Sequence, residues 1–196
     1  TEMALNGTVS HAFCHILYKS LLFMCMGAVL LRTGTANGSD LGGLFKTMPW
    51  TTGFCIVGAA SISGFPLFSG FISKSMILTS VSDAGYWEVW LILLFASAGV
   101  FHHSGIKIPY FAFFAHDRGL RPKEAPIPML FAMGITASLC FLIGIYPDFL
   151  YSMLPYPVDY VPYTTSHVIN QLQLLMFSAL AFAVLMVFKI YPPELR

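Results

Sequence analysis

The chain has 196 residues, of which 57% are hydrophobic and only 10% charged, with a net charge of +1. Its mean hydropathy is +0.74. Soluble domains carry about 25% charged residues because a water-facing surface needs them, so this composition excludes a water-soluble globule, and the near-neutral balance excludes the basic footprint of a nucleic-acid binder.

A hydrocarbon core of about 30 Å takes roughly 20 apolar residues per helix. In chain order the sequence supplies five such stretches: about 9–31, 49–81 with an interruption near 64–70, 86–114, 127–146 and 167–190. Strand alternation is missing. The expected fold is all-α, a polytopic transmembrane helix bundle of about five spans, one of them discontinuous, forming a single transmembrane domain over 1–196. Pro49, Pro126, Pro128, Pro147 and Pro192 mark helix starts or ends. The opening TEMALNGTVS has no initiator Met and no basic leader, so the chain is expected to be a piece of something longer. Cys14, Cys25, Cys55 and Cys140 fall inside apolar runs without a CxxC pair and read as small buried hydrophobes.

Loop charges set an orientation. Arg32 and Lys46, then Arg118, Arg121 and Lys123, then Lys189 and Arg196 fall on one side if the spans alternate. The other side carries Glu2, Asp83, Glu88, Asp148 and Asp159 and no Lys or Arg. The positive-inside rule puts the basic loops in the cytoplasm, the N-terminus outside and the C-terminus inside. Trp50 marks the inner boundary, and Tyr86, Trp87 and Trp90 with the tyrosines of 146–166 mark the outer one. The proline-rich LPYPVDYVPYT reads as an ordered interfacial cap, with a plain linker as the alternative.

Once the loops are set aside, Lys19, Lys74 and Lys107 remain within the membrane and no carboxylate does. A lysine at bilayer depth costs about 2.5–3.5 kcal/mol on insertion scales, and removal from water weakens an amine's hold on its proton. Intramembrane lysines are therefore proton-relay candidates. His11, His15 and Lys19 recur every four residues, a single helix stripe about 12 Å long, and read as a proton wire. Zinc ligation by HxxxH and a structural polar stripe are the alternatives.

Lys74 ends SGFPLFSGFISK, where Gly64, Pro66 and Gly70 cannot hold a regular helix. Broken membrane helices expose backbone groups where ions bind. The bland alternative is a loop between half-length helices with Lys74 snorkelling outward. Lys107, with His102 and His103 nearby, is a weaker candidate for the path; snorkelling to the interface is its alternative, and adjacent histidines about 100° apart cannot both face one cavity. No catalytic residue, metal site or cofactor-binding motif is expected.

HAFCHILYKSLLFMCMGAVL, DLGGLFKTMP and SGFPLFSGFISKSMIL, in that order, resemble the antiporter-like membrane subunits. That superfamily includes proton-pumping subunits of NADH–quinone oxidoreductase and large subunits of Mrp-type multisubunit cation/proton antiporters. The later GIKIPYFAFFAHDRGLRPKEAP, LPYPVDYVPYTTSHV and YPPELR look like the D component of the Mrp type. Ser75 and Met76 stand where many respiratory members have acidic residues. The resemblance implies two inverted repeats, each with a discontinuous helix and a buried lysine, of which this chain matches the second together with the C-terminal helices. It implies that the residue matching Lys19 links the half-channels, that Lys74 takes part in the exit side, and that His11 and His15 belong to the same hydrated axis. A carboxylate partner is expected on the absent repeat. The implied function is Na+/proton exchange by a multi-pass subunit of the bacterial cytoplasmic membrane, with other subunits of the complex, lipid, protons and a monovalent cation as partners. The alternative is a proton-pumping subunit of a redox-driven complex.

Overall fold

The computed structural model describes residues 1–190; the YPPELR ending, Pro192 and Arg196 included, lies outside the described residues. Those residues form helices and connecting loops, with no strand. The first helix, α1 (Glu2–Thr33), begins well before the expected residue 9. Thr1 caps it by accepting from the Ala4 amide at 3.2 Å, and polar Asn6 stays within the helix because its side chain is satisfied elsewhere. The Asn6 amide donates to the Tyr156 carbonyl at 2.9 Å and accepts from the Tyr156 N–H at 3.1 Å. Gly34, in the left-handed conformation, ends the helix.

The expected broken span is two helices, α2 (Pro49–Ser63) and α3 (Ser69–Asp83). Pro49 opens α2 at the position where a missing N–H costs nothing. Gly64 closes it with φ 74°, and Leu67 is left-handed too, at φ 76°. The break is shorter than the sequence implies, since the helix resumes at Ser69 and Gly70 lies in the first turn of α3. Gly70 is a close-approach residue there: a Cβ would run into the Ser61 carbonyl oxygen.

Both halves lie along α1. A Cβ on Gly7 would meet Ile77 at 3.1 Å, His11 Nδ1 is 3.1 Å from Ser73 Oγ, and a Cβ on Gly58 would meet Leu22 at 3.1 Å. As α1 ascends in number its partners descend across the break, so α2 and α3 form one antiparallel track beside it.

The fourth helix, α4 (Trp87–Phe114), is α-helical over Trp87–Val100 and π-helical over Phe101–Lys107 and Tyr110–Phe114. The sequence pattern shows only a long helix. Pro109 removes a ladder donor, and Gly105 presses so closely on Ser63 of α2 that a Cβ would strike its hydroxyl. The remaining helices are α5 (Ile127–Ile145), the short α6 (Pro147–Tyr151) and α7 (Thr165–Val187). Helices α1, α4, α5 and α7 are each long and apolar enough to cross a membrane; α2 and α3, 15 residues each, reach that length only end to end.

The buried core sits between α1, α2, α3 and α5, with Cys14, Tyr18, Leu21, Cys25, Cys55, Ile72, Met133 and Cys140 at its centre. All four cysteines are free and buried. The bundle has two chemically distinct ends. At one, Asn6 meets Tyr156 and Thr79 meets Tyr160; this is the carboxylate end, with Asp83, Asp148 and Asp159 on its segments. At the other, Lys46 and Arg121 pair with Asp117 at 2.8 Å and Arg32 donates to the Glu124 carbonyl; this is the basic end.

Candidate functional site: a broken helix and two cavities that share Lys74

The backbone groups freed by the break are individually satisfied, as burial requires. The Phe65 and Gly64 amides donate back to the Ala60 and Ser61 carbonyls, each at 3.0 Å. The next two carbonyls take side-chain donors: Lys74 Nζ reaches Ile62 O at 2.6 Å, and Gln171 Nε2 from α7 reaches Ser63 O at 3.0 Å. On the far side the Leu67 amide donates to the Tyr163 hydroxyl at 3.2 Å, and that hydroxyl donates to the Gly144 carbonyl. Tyr151 donates to Ile72 O at 3.1 Å, and the Ser61 and Ser69 hydroxyls are 2.9 Å apart across the break.

The tyrosines of 146–166 were expected to act as an interfacial belt. Tyr151 and Tyr163 instead reach inward to hold the break. Burial pushes both phenols above the usual tyrosine range, so they remain protonated donors.

Two cavities meet at Lys74. The first, about 350 Å³, is walled by His11, His15, Tyr18, Lys19, Lys74 and Ser97 among others. The expected α1 stripe thus faces one space and shares it with the lysine beyond the break. The His11 and His15 rings are 6.2 Å apart, Tyr18 lies edge-on to His15 at 5.4 Å, and Ser97 Oγ accepts from Lys74 Nζ at 3.3 Å. At about 30 Å³ per molecule, such a volume has room for on the order of ten waters. The second cavity, about 370 Å³, lies between α3, α4 and α7 and is lined by Lys74, Ser75, Thr79, Asp83, Asn170 and Gln171, with His167 and Ser82 nearby on its wall. Lys74 is common to both.

The weaker candidates are not gathered here. His102, His103 and Lys107 lie in the π-helical part of α4 and line neither cavity. The His102 ring packs on Phe182 at 5.5 Å, and His103 Nδ1 is 3.4 Å from Ser104 Oγ. Gly64 and Pro66 are at the break, while Gly70 serves helix contact as described.

Gln171, Asn170, Ser97 and His167 are functional-site residues that sequence reading misses. The signal was present in INQLQLLMF, where amides interrupt an apolar span; a buried amide in hydrocarbon needs a partner, and the break supplies one.

The fold and its cavities define a class: a polytopic helical membrane protein built round a broken helix. The chain belongs to the NADH:quinone oxidoreductase/Mrp antiporter transmembrane family, whose sequence profile matches residues 1–101. Over 162 residues it is 30% identical to hydrogenase-4 component B of Escherichia coli K12, covering 76% of this chain and 24% of that one. It is 31% identical to the A component of the Na(+)/H(+) antiporter of Alkalihalophilus pseudofirmus OF4, also over 162 residues, covering 76% of this chain and 20% of that one. The chain therefore spans about a fifth to a quarter of the length of these curated relatives. The membrane-bound sulfane sulfur reductase, an archaeal respiratory membrane complex, shares the fold with a TM-score of 0.74 at 24% identity, covering 100% of this chain and 34% of that chain. The Alkalihalophilus relative is an A component, so the expectation of a D component is narrower than the family assignment itself.

Proposed function

We propose that the full-length protein is a membrane subunit exchanging Na+ or another monovalent cation for protons, and that this chain carries part of its proton path. The observation that supports this most directly is that His11, His15 and Lys19 of α1 line one cavity with Lys74 of α3, the helix that follows the break. Lys74, bound to a freed carbonyl and a serine hydroxyl, holds a proton. His11, 3.1 Å from the Ser73 hydroxyl that precedes Lys74 in sequence, receives it through water in the cavity. His15 and Lys19 carry it along α1 towards the carboxylate-bearing repeat outside this chain. The cavity that Lys74 shares with the α1 stripe has room for the water that such transfer needs.

In this reading the carboxylate end faces outward and the basic end the cytoplasm of a bacterium, and the chain works beside other subunits of an Mrp-type assembly, as its D or its A component. The similarity to hydrogenase-4 component B, over the same share of this chain, supports a second reading. There the same lysines and histidines pump protons and a redox partner supplies the energy.

The test is proton movement in membrane vesicles holding the complete complex. Lys19→Ala and Lys74→Ala abolish it while assembly persists; wild-type flux in both variants removes these lysines from the mechanism. Addition of Na+, K+ or Li+ collapses a pH gradient if the protein is an exchanger. A gradient that responds only to electron donor and quinone assigns it to the redox-driven class.

A further inference from the structure

We propose that the groove between α2 and α5, at the basic end of the bundle, binds one acyl chain of an anionic phospholipid whose phosphate is held by Arg32 and Lys123. The groove lies apart from the cavities at Lys74, and the inference goes beyond the transport reading.

The groove encloses about 580 Å³. One wall is the start of α2, with Trp50 and Phe54. The other is a face of α5 on which Ile127, Phe131 and Ile135 recur every four residues. Of the side chains on the two walls, Ser138 and the Trp50 indole alone carry a polar group. Ile127, Phe131 and Trp50 are 80%, 72% and 66% exposed, so the groove opens to the outside of the bundle, which in a membrane is hydrocarbon. Gly134 keeps it open: a Cβ there would have Phe54 at 3.5 Å as its nearest neighbour.

Length separates an acyl chain from a packed helix as the occupant. From Ile127 to Leu139 the α5 wall climbs about 18 Å, at 1.5 Å per residue, close to one leaflet of a hydrocarbon core of about 30 Å. The wall stops short of the α5 end at Ile145, and α2 adds nothing beyond Phe54 although it runs to Ser63. A neighbouring transmembrane helix would need a face continuing through both leaflets. A chain entering from the leaflet at the basic end needs only this one.

Bulk lipid tails are as apolar as the groove, so selection among lipids falls to the head group. Arg32 Nε donates to the Glu124 carbonyl at 2.9 Å, and the Glu124 carboxylate accepts from the Trp50 amide at 2.8 Å. The guanidinium therefore stands at the end of the groove that Trp50 forms. Its terminal nitrogens make no hydrogen bond among the described residues, which leaves them for a phosphate, the partner a guanidinium holds with two parallel bonds. Lys123, next to Glu124 in the chain, is exposed and without a hydrogen bond or ion pair among the described residues. The carboxylate at this mouth, Glu124, is turned to the Trp50 and Ala125 amides and the Thr51 hydroxyl. Two cations against one engaged carboxylate favour an anionic head group. The Trp50 ring stands at the level where indoles sit among head groups.

The experiment is photolabelling of the full-length protein in its complete complex, reconstituted in vesicles that carry either phosphatidylglycerol or phosphatidylcholine with a photoactivatable acyl chain. Labelled peptides are then mapped by mass spectrometry. Label concentrates on residues 50–54 and 127–139, more from phosphatidylglycerol than from phosphatidylcholine. Arg32→Gln and Lys123→Gln each lower that preference about fivefold. Gly134→Leu, which puts a side chain on the groove wall, removes the label there and spares that on α4; Phe131→Ala, at an exposed position, lowers it and serves where Gly134→Leu fails to assemble. Label spread evenly over the lipid-facing helices, or unchanged in whichever groove variant assembles, overturns the site. Equal yields from the two lipids overturn the anionic head group. Cross-linking of Ile135→Cys to another subunit, with no lipid label in the groove, assigns it to protein packing and overturns the proposal.

Discussion

Lys74 and Gln171 donate to adjacent carbonyls at the end of α2: the ammonium to Ile62 O at 2.6 Å and the amide to Ser63 O at 3.0 Å. One donor comes from the helix that follows the break and the other from α7, 108 positions along the chain from its acceptor. The buried end of a broken helix is thus shared between a titratable donor and a neutral one. The lysine can lose its proton while the amide keeps the backbone in place.

That division predicts different phenotypes. Lys74→Ala stops proton movement in vesicles with assembly retained, and Lys74→Arg fails to restore it, because a guanidinium does not release its proton in this range. Gln171→Leu leaves the Ser63 carbonyl buried without its donor, which costs about 1–3 kcal/mol. It lowers the thermal midpoint of the solubilised protein and slows flux without abolishing it. Equal loss of flux in Gln171→Leu and Lys74→Ala would show that the amide does more than hold the break.

At the basic end Glu124 serves as the missing cap of α2. Its carboxylate accepts from the Trp50 amide at 2.8 Å and from the Thr51 hydroxyl at 2.6 Å, while the N-cap residue Met48 offers no side-chain bond. A carboxylate at a helix N-terminus also meets the positive end of the dipole. Glu124→Ala should destabilise the protein by about 1–2 kcal/mol, read as a lower thermal midpoint. Glu124→Asp, one methylene shorter, should recover only part of the loss.

Asp117 ties the two basic loops together. Arg121 and then Lys46, with the Gly119 amide, hold its carboxyl far below the usual carboxylate range. A depressed folded-state value means that the contribution is fully present above the unfolded pKa, about 3.9. It is lost only as pH falls through the lower folded value. Hydrogen exchange of residues 115–126 should therefore be flat from neutral pH down to about pH 4 after correction for intrinsic rates. Asp117→Asn should show faster exchange throughout that window.

Much of this was legible from residue spacing. The stripe of His11, His15 and Lys19 and the Gly–Pro–Gly interruption before Lys74 are local patterns, and the helix geometry converts them directly into a shared face and a break. Four features were not legible because they depend on which distant segments meet. Gln171 gains meaning only when α7 lies against the end of α2. Tyr163, with its phenol available for hydrogen bonding, looks like a membrane-interface residue until the loop folds inward. The π-helical half of α4 has an apolar pattern that a regular helix would share, and its cause is tertiary: Ser63 presses on Gly105 as Pro109 interrupts the ladder. The early start of α1 likewise depends on Tyr156, which meets Asn6 only in the folded chain.

The close approaches at the break give the sharpest packing test. A Cβ on Gly144 of α5 would collide with the Leu67 carbonyl and with the backbone of Phe68, atoms that cannot move without disturbing the left-handed Leu67 and the Tyr163 bond beside it. Gly144→Ala should therefore cost about 1–3 kcal/mol through overpacking and shift the break away from α5. Gly134, on the same helix, would place its Cβ at an ordinary 3.5 Å from Phe54, and nothing lies within 4 Å of a Cβ on Gly27 of α1. Alanine at either of those positions should leave stability unchanged or raise it by up to about 1 kcal/mol, since glycine within a helix is the costlier residue. The three variants differ by a single methyl group at helical glycines. A thermal midpoint that falls only for Gly144→Ala, with proton flux falling alongside it, would tie the break's geometry to transport; equal midpoints for all three would mean that α5 does not press on the break.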